Sequence, residues 1–497
     1  MQKLDILRKI NFGQRVAEEE IDELSKYFVE TNQWRRIFAG DIDIVYGPKG
    51  SGKSAIYSLL DAKKDDLLSR KIIAIPAENP RGTPIFENLV SNPPKDESEF
   101  ISLWKLYFLS LVGSTLQESF SSNKVARKVI RELEKADLLK RERSLRSLLI
   151  SIVTYLKQIR SVDVGTYEMN EDTGGLTGGS IAKITLREPS REKAKLGYVS
   201  IDSLINNANV ALSESGYSIW ILLDRLDIAF AEAEELEENA LRALFRVYRD
   251  FTAMNKIQLK IFLRTDIWKK ITQKGFREAS HITRDTTIEW DEDSLLNLVA
   301  RRILQSNTIR NYYKANSERI LQSMSEQKEL FYRIFPDQID VGSNNPKSFR
   351  WMINHIKDGS DYAAPRELIH LLNAAQEIQI QRLERGEAEP EDERLFLRTV
   401  VQDALPKVSN TRLHQTIYAE YRSVQEYLEK LREEKTQQYP RTLAKIWGTS
   451  ESNAKIIADE LVEIGFFARR GGKNNPSYWV PFLYRDALNM VQGTADV

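Results

Sequence analysis

An α/β fold built on a parallel sheet of about five strands, with a helical insertion and a helical region after it, is predicted by three observations. A short apolar run at 42–46 leads into Gly47-Pro48-Lys49-Gly50-Ser51-Gly52-Lys53-Ser54, and a helix-like apolar pattern follows at once. Four further short apolar runs, at 71–76, 219–223, 259–263 and 286–290, are separated by helical segments, the pattern of strands covered on both faces by helices. Beyond residue 293 the periodicity is helical, until residues 440–497 change to helix, turn, helix and hairpin.

Taken in order, residues 1–40 are expected to form an N-terminal helical segment. Positions 16–38 carry apolar residues at helical spacing, with Glu18, Glu19 and Glu20 where a helix start favours acids. The sheet-forming core spans 41–292. Within it, 97–161 are helical almost throughout and read as an insertion, with ISLWKLYFLSLVGSTL apolar on most faces. Residues 162–196 lose that stripe, gain glycines and read as a β-hairpin or a mobile loop. Residues 293–435 are expected to be a helical lid and linker. In the last region, helices at 441–447 and 452–465 flank a Gly448-Thr449-Ser450 turn, and 466–470 pairs with 478–484 across a tip rich in turn residues. That order resembles a winged helix.

A chain of 497 residues is too long for one ordinary core. Lys plus Arg and Asp plus Glu both total 72, so no global charge excess points to nucleic acid or membrane. The absence of cysteine excludes disulfides, thiolate zinc sites and a cysteine nucleophile. The four histidines are scattered without ligand spacing. With no secretory-type N-terminus and no run of 18 uncharged apolar residues, the chain reads as soluble and cytoplasmic, with no membrane partner.

The segment Gly47 to Ser54 is a complete P-loop between strand and helix. Its glycines let backbone N–H groups curl round a phosphate, Lys53 can reach the β and γ phosphates, and the Ser54 hydroxyl suits Mg2+. Gly47, Pro48, Lys49, Gly50, Ser51, Gly52, Lys53, Ser54 and Ala55 are therefore the expected nucleotide-binding set, with ATP and Mg2+ as the cofactors. A chance match at the motif's fixed positions is expected in roughly 2% of chains this long, and the flanking strand and helix lower that further.

Ser218-Ile-Trp-Ile-Leu-Leu-Asp224 is an apolar strand ending in an acid that can hold Mg2+ beside Ser54. Hydrolysing ATPases of this kind usually place Glu next; here Arg225 follows, and Asp227 is the nearest carboxylate able to orient water. Arg264, Thr265 and Asp266 end the next strand and are expected at the γ-phosphate, because ligands of open parallel sheets sit beyond the strand C-termini. Arg366, in the first turn of a helix opened by Pro365, is the expected lid cation. Arg284 is a candidate for a finger acting across a subunit interface. Leu176-Thr-Gly-Gly-Ser180 imitates the signature loop of ABC-type ATPases, but IAKITLREPSREK with its proline follows instead of a long helix.

In residues 440–497 seven basic residues face six acidic ones, a poor balance for phosphate contact. The hairpin carries Arg469, Arg470 and Lys473, whereas the second helix carries Asp459, Glu460 and Glu463. DNA and protein contact both stay open for this module.

With these parts in this order the chain resembles the AAA+/STAND group of P-loop ATPases. More closely, VAEEEIDELSKYFVETNQW, VYGPKGSGKSAIYSLL, WILLDRLDIAF and FLRTDIWKKI resemble a bacterial P-loop ATPase family often found near antiviral-defence genes, over most of residues 12–372. The resemblance implies a slowly hydrolysing regulatory switch that controls a protein effector, with self-association into a homo-oligomer open. Two other readings stand beside it: a DNA-associated ATPase using residues 440–497, and a nucleotide-binding scaffold that does not hydrolyse.

Overall fold

The computed structural model describes residues 2–14, 28–77, 96–139, 145–163, 183–226, 234–273, 275–472 and 476–496. Two compact units divide the chain: Asn32–Gly47 with Lys53–Thr287, and Met1–Thr31 with Pro48–Gly52 and Ile288–Val497.

The first unit is organised by five parallel strands, β1 (Ile44–Gly47), β2 (Ile72–Pro76), β3 (Ser218–Leu223), β4 (Ile257–Arg264) and β5 (Asp285–Thr287), in the order β2-β3-β4-β1-β5. The inner strands β1, β3 and β4 are almost entirely buried and the edge strands half-buried. Continuous Ile, Leu and Val runs suit strands covered on both faces. The last strand stops at Thr287, short of the expected end at residue 290; Trp290 instead belongs to the other unit.

Helix α1 (Lys53–Ala62) follows β1 directly. The expected helical insertion is present as α2 (Glu97–Ser119), α3 (Lys124–Lys135) and α4 (Leu145–Asp163). Asp96 caps α2 by accepting from Glu99 N–H at 3.0 Å, and the helix is buried on most sides. Trp104 of α2 donates to the Ala240 carbonyl at 2.8 Å, satisfying its one polar atom inside the core. Of the segment expected as a hairpin or mobile loop, residues 164–182 lie outside the described residues. The remainder is not a hairpin: Ile184–Thr185 pairs in parallel with Val199–Ser200 across the short helix Arg191–Lys195.

The start of the sheet is held by buried charge. Asp43, 5% exposed, accepts from Lys260 Nζ and Arg284 Nε, both at 2.7 Å, and from the Tyr248 hydroxyl at 3.2 Å. Lys260, 1% exposed, also donates to the Ile42 carbonyl and lies over the Trp220 ring. Burial pulls the Lys260 pKa down against the attraction of Asp43. Arg284 thus joins a cluster at the strand N-termini, the edge opposite the one where Gly47 ends β1.

The second unit has one hydrophobic core running from Ile6 to Leu488. It contains α5 (Glu292–Gln305), α6 (Ser348–Ile356), α7 (Pro365–Glu384) and α8 (Arg398–Arg412), then α9 (Pro440–Trp447) and α10 (Glu451–Glu463). Gly448, with φ of +67°, turns the chain after α9, and Ser450 caps α10. The hairpin pairs β7 (Ala468–Arg470) with β8 (Ser477–Trp479). Two strands not foreseen in the sequence, β6 (Lys435–Gln438) and β9 (Val491–Thr494), extend it to a four-stranded sheet in the order β9-β6-β8-β7. Because the core is continuous, the change near residue 440 is one of element type within a single unit.

Asp43→Ala leaves the Lys260 ammonium buried without its carboxylate, so the substitution should lower unfolding stability by about 3–5 kcal/mol in urea denaturation. A loss under about 1 kcal/mol would show that the cluster does not hold the sheet edge.

Candidate nucleotide site

Parallel pairing brings the strand C-termini to one edge, where Gly47 of β1 lies opposite Arg264 of β4. From Gly47 the chain turns through Gly50 and Gly52, whose φ angles of +80° and +98° lie in the left-handed region. Only glycine takes these up without strain. At Gly52 a Cβ would meet nothing within 4 Å, so conformation alone demands glycine there. At Gly50 space matters too, because a Cβ would sit 3.2 Å from the Arg366 Cβ and 3.4 Å from that of Ala364.

Helix α1 opens at Lys53 immediately after the loop, so its free N–H groups and positive dipole end point back toward it. Lys53 is buried and donates from Nζ to the Gly47 carbonyl at 2.9 Å, folding the ammonium across the turn. Ser54 and Ala55 are half-buried in the first turn of α1. The tip, Pro48–Gly52, is held within the second unit: Trp290 Nε1 donates to the Ser51 carbonyl at 2.8 Å and Lys49 pairs with Glu420.

Asp224 follows β3 and is 4% exposed. Arg225 then takes φ of +58°, and Leu226 is buried again. The chain therefore leaves the strand by a left-handed turn at the position where a water-orienting Glu was missed in the sequence, at a conformational cost of about 1–2 kcal/mol. Asp227 lies outside the described residues.

On the neighbouring strand the three polar residues separate in role. Arg264 is clamped by Asp266 through Nε at 3.1 Å and a second guanidinium nitrogen at 2.7 Å. The Thr265 hydroxyl is buried and has no hydrogen-bond partner among the described residues. A buried hydroxyl without a partner costs free energy, so it marks a place where a ligand atom would be welcomed. Arg366 Nε is buried and unpartnered among the described residues in the same way, at the start of α7 and against Gly50. The Ser51 hydroxyl is a third such atom, inside the loop. Thr265 belongs to the first unit, Ser51 and Arg366 to the second. Trp290 and Glu420, which hold the tip of the loop, lie far from it in the chain and carry no motif.

In the C-terminal module, Arg469 pairs with Asp459 at 3.3 Å and Arg470 lies 4.2 Å above the Trp479 ring. Lys473 lies outside the described residues. Helix α10 exposes Ile456, Glu460 and Glu463, a surface that repels phosphate.

No family model matches the chain, and no curated protein does. Among solved structures, the ORC1 protein of Aeropyrum pernix in complex with DNA is similar over 96% of both chains, at 11% identity and a TM-score of 0.38. The Walker-type ATPase paby2304 of Pyrococcus abyssi aligns over 93% of this chain and 95% of its own, at 9% identity and a TM-score of 0.39. The Aeropyrum pernix ORC2 protein in its ADPNP-ADP complexes aligns over 95% and 92%, at 11% identity and a TM-score of 0.38. Likenesses of this degree do not establish a family. Among the described residues no helix is long and apolar enough to cross a membrane.

Arg225→Gly should change thermal stability by no more than about 1 kcal/mol, since glycine accepts the left-handed turn. Leu226→Ala, one residue on, should cost about 2–5 kcal/mol because its side chain is buried. Equal losses for the two would show that Arg225 does not take the left-handed turn.

Proposed function

We propose that this chain is an AAA+-like regulatory ATPase that binds ATP with Mg2+ and uses nucleotide state to control a partner effector. What carries the reading is the loop itself: Gly50 and Gly52 turn left-handed directly before a helix that begins at Lys53. A turn of that kind presents N–H groups to phosphate, and the helix dipole adds to the attraction.

In this reading Lys53 leaves the Gly47 carbonyl for the β and γ phosphates. Ser54 and Asp224 hold Mg2+, which supplies charge neutralisation for the phosphates when bound. Thr265 donates to the γ-phosphate or to the attacking water, while Arg264 keeps Asp266 and the strand end in place. Arg366 is the lid cation, its Nε having no other partner among the described residues. Arg225 cannot act as a base, so water must be oriented by Asp227 or by a partner, and turnover is slow. The acidic and apolar exposed face of α10 favours protein over DNA as the target of the C-terminal module, and an antiviral-defence setting rests on the sequence resemblance alone.

Lys53→Ala should weaken binding of a fluorescent ATP analogue by about 10- to 100-fold, the worth of a charge-assisted contact. Wild-type affinity in that variant would refute the site. Asp224→Asn should reduce Mg2+-dependent phosphate release much more than nucleotide binding, and equal loss of both would displace Asp224 from the metal. DNA-stimulated turnover that falls steeply with salt would replace the effector reading by a DNA-associated one.

A further inference from the structure

Within the second unit a line of close approaches and hydrogen bonds runs from the loop tip to the C-terminal module. A Cβ at Gly50 would lie 3.5 Å from Glu367 Oε2. Glu367 is 5% exposed, and that oxygen has no partner among the described residues. Its other oxygen accepts from Arg412, at the end of α8, at 3.1 Å. The same guanidinium faces Asp358 at 3.7 Å and the Tyr484 hydroxyl at 3.5 Å.

Asp358 belongs to a turn that is closed by the bridge between Lys357 and Ala363 and leads straight into α7. The turn touches the module backbone to backbone: Gly359 N–H donates to the Gly465 carbonyl at 2.6 Å. A Cβ at Gly359 would lie 2.2 Å from the Phe467 carbonyl oxygen, and one at Gly465 3.2 Å from Asp358 Oδ2. Close-packed contacts of this kind have no side-chain slack and move together or break.

A phosphate in the loop brings negative charge beside a buried carboxylate whose second oxygen is unsatisfied. Repulsion falls only if Glu367 is drawn further onto Arg412 or the start of α7 shifts, and either change acts on the Asp358–Gly359 turn. We propose that Glu367 and Arg412 transmit nucleotide occupancy from the loop to the docking of the C-terminal module at Gly465 to Phe467. The proposal rests on the nucleotide-binding reading above and adds the route by which that site is read out. Both residues are positioning residues and contact no reacting atom. Because coupling between sites is reciprocal, a change at the module must also alter nucleotide affinity.

The test uses the full chain and hydrogen exchange at the Gly359 amide and at residues 464–468, with and without a non-hydrolysable ATP analogue, beside a direct titration of that analogue. The wild type should show at least a fivefold change in exchange on binding, within the usual range of coupling. Glu367→Gln, which keeps shape and removes charge, should bind the analogue three- to tenfold tighter and lose the exchange response. Tyr484→Phe, which keeps the ring on the far side of Arg412, should shift analogue affinity at least threefold. Wild-type binding without an exchange response, or unaltered affinity in both variants, overturns the relay alone. No binding by the wild type overturns the nucleotide reading and the relay with it.

Discussion

The loop after β1 passes through the left-handed region at Gly50 and Gly52, a path that only glycine takes without strain. The remaining geometry depends on that constraint. The turn sets where α1 starts, and so where Lys53 and the positive end of the helix lie. It also leaves Gly50 bare, which allows Ala364, Arg366 and Glu367 to pack against backbone rather than a side chain.

The two edges of the parallel sheet divide the charged residues by task. At the strand starts, Asp43, Lys260 and Arg284 pair with one another and with backbone carbonyls, an arrangement that holds structure. At the strand ends, Arg264 pairs with Asp266, while the Thr265 hydroxyl has no hydrogen-bond partner among the described residues.

Much of the fold was legible because its signals are local. Gly47 to Ser54 needs a fixed set of residue types in consecutive positions, and short apolar runs between helical stretches suffice to read a parallel sheet with helices inserted into it. The short strands β6 and β9 were missed because neither is apolar: Lys435–Gln438 and Val491–Thr494 are strands by virtue of their pairing and not of their composition. Residues 286–290 were read as a strand from their apolar content, whereas β5 is the more polar Asp285–Thr287, where pairing with β1 ends.

The amino-acid sequence by itself determined the glycine-rich loop between β1 and α1, the acid at the end of β3, the proline that opens α7 and the helix, turn, helix and hairpin near the C-terminus, since each depends on neighbours a few positions apart. Only the tertiary structure decided which of several arginines are engaged: Arg284 by Asp43, Arg264 by Asp266, Arg412 by Glu367 and Asp358, while the Nε of Arg366 has no partner among the described residues. The reason is physical. An arginine's role follows from the anion it reaches, and three of these pairings join residues 45 or more positions apart, a distance over which composition and periodicity carry no information.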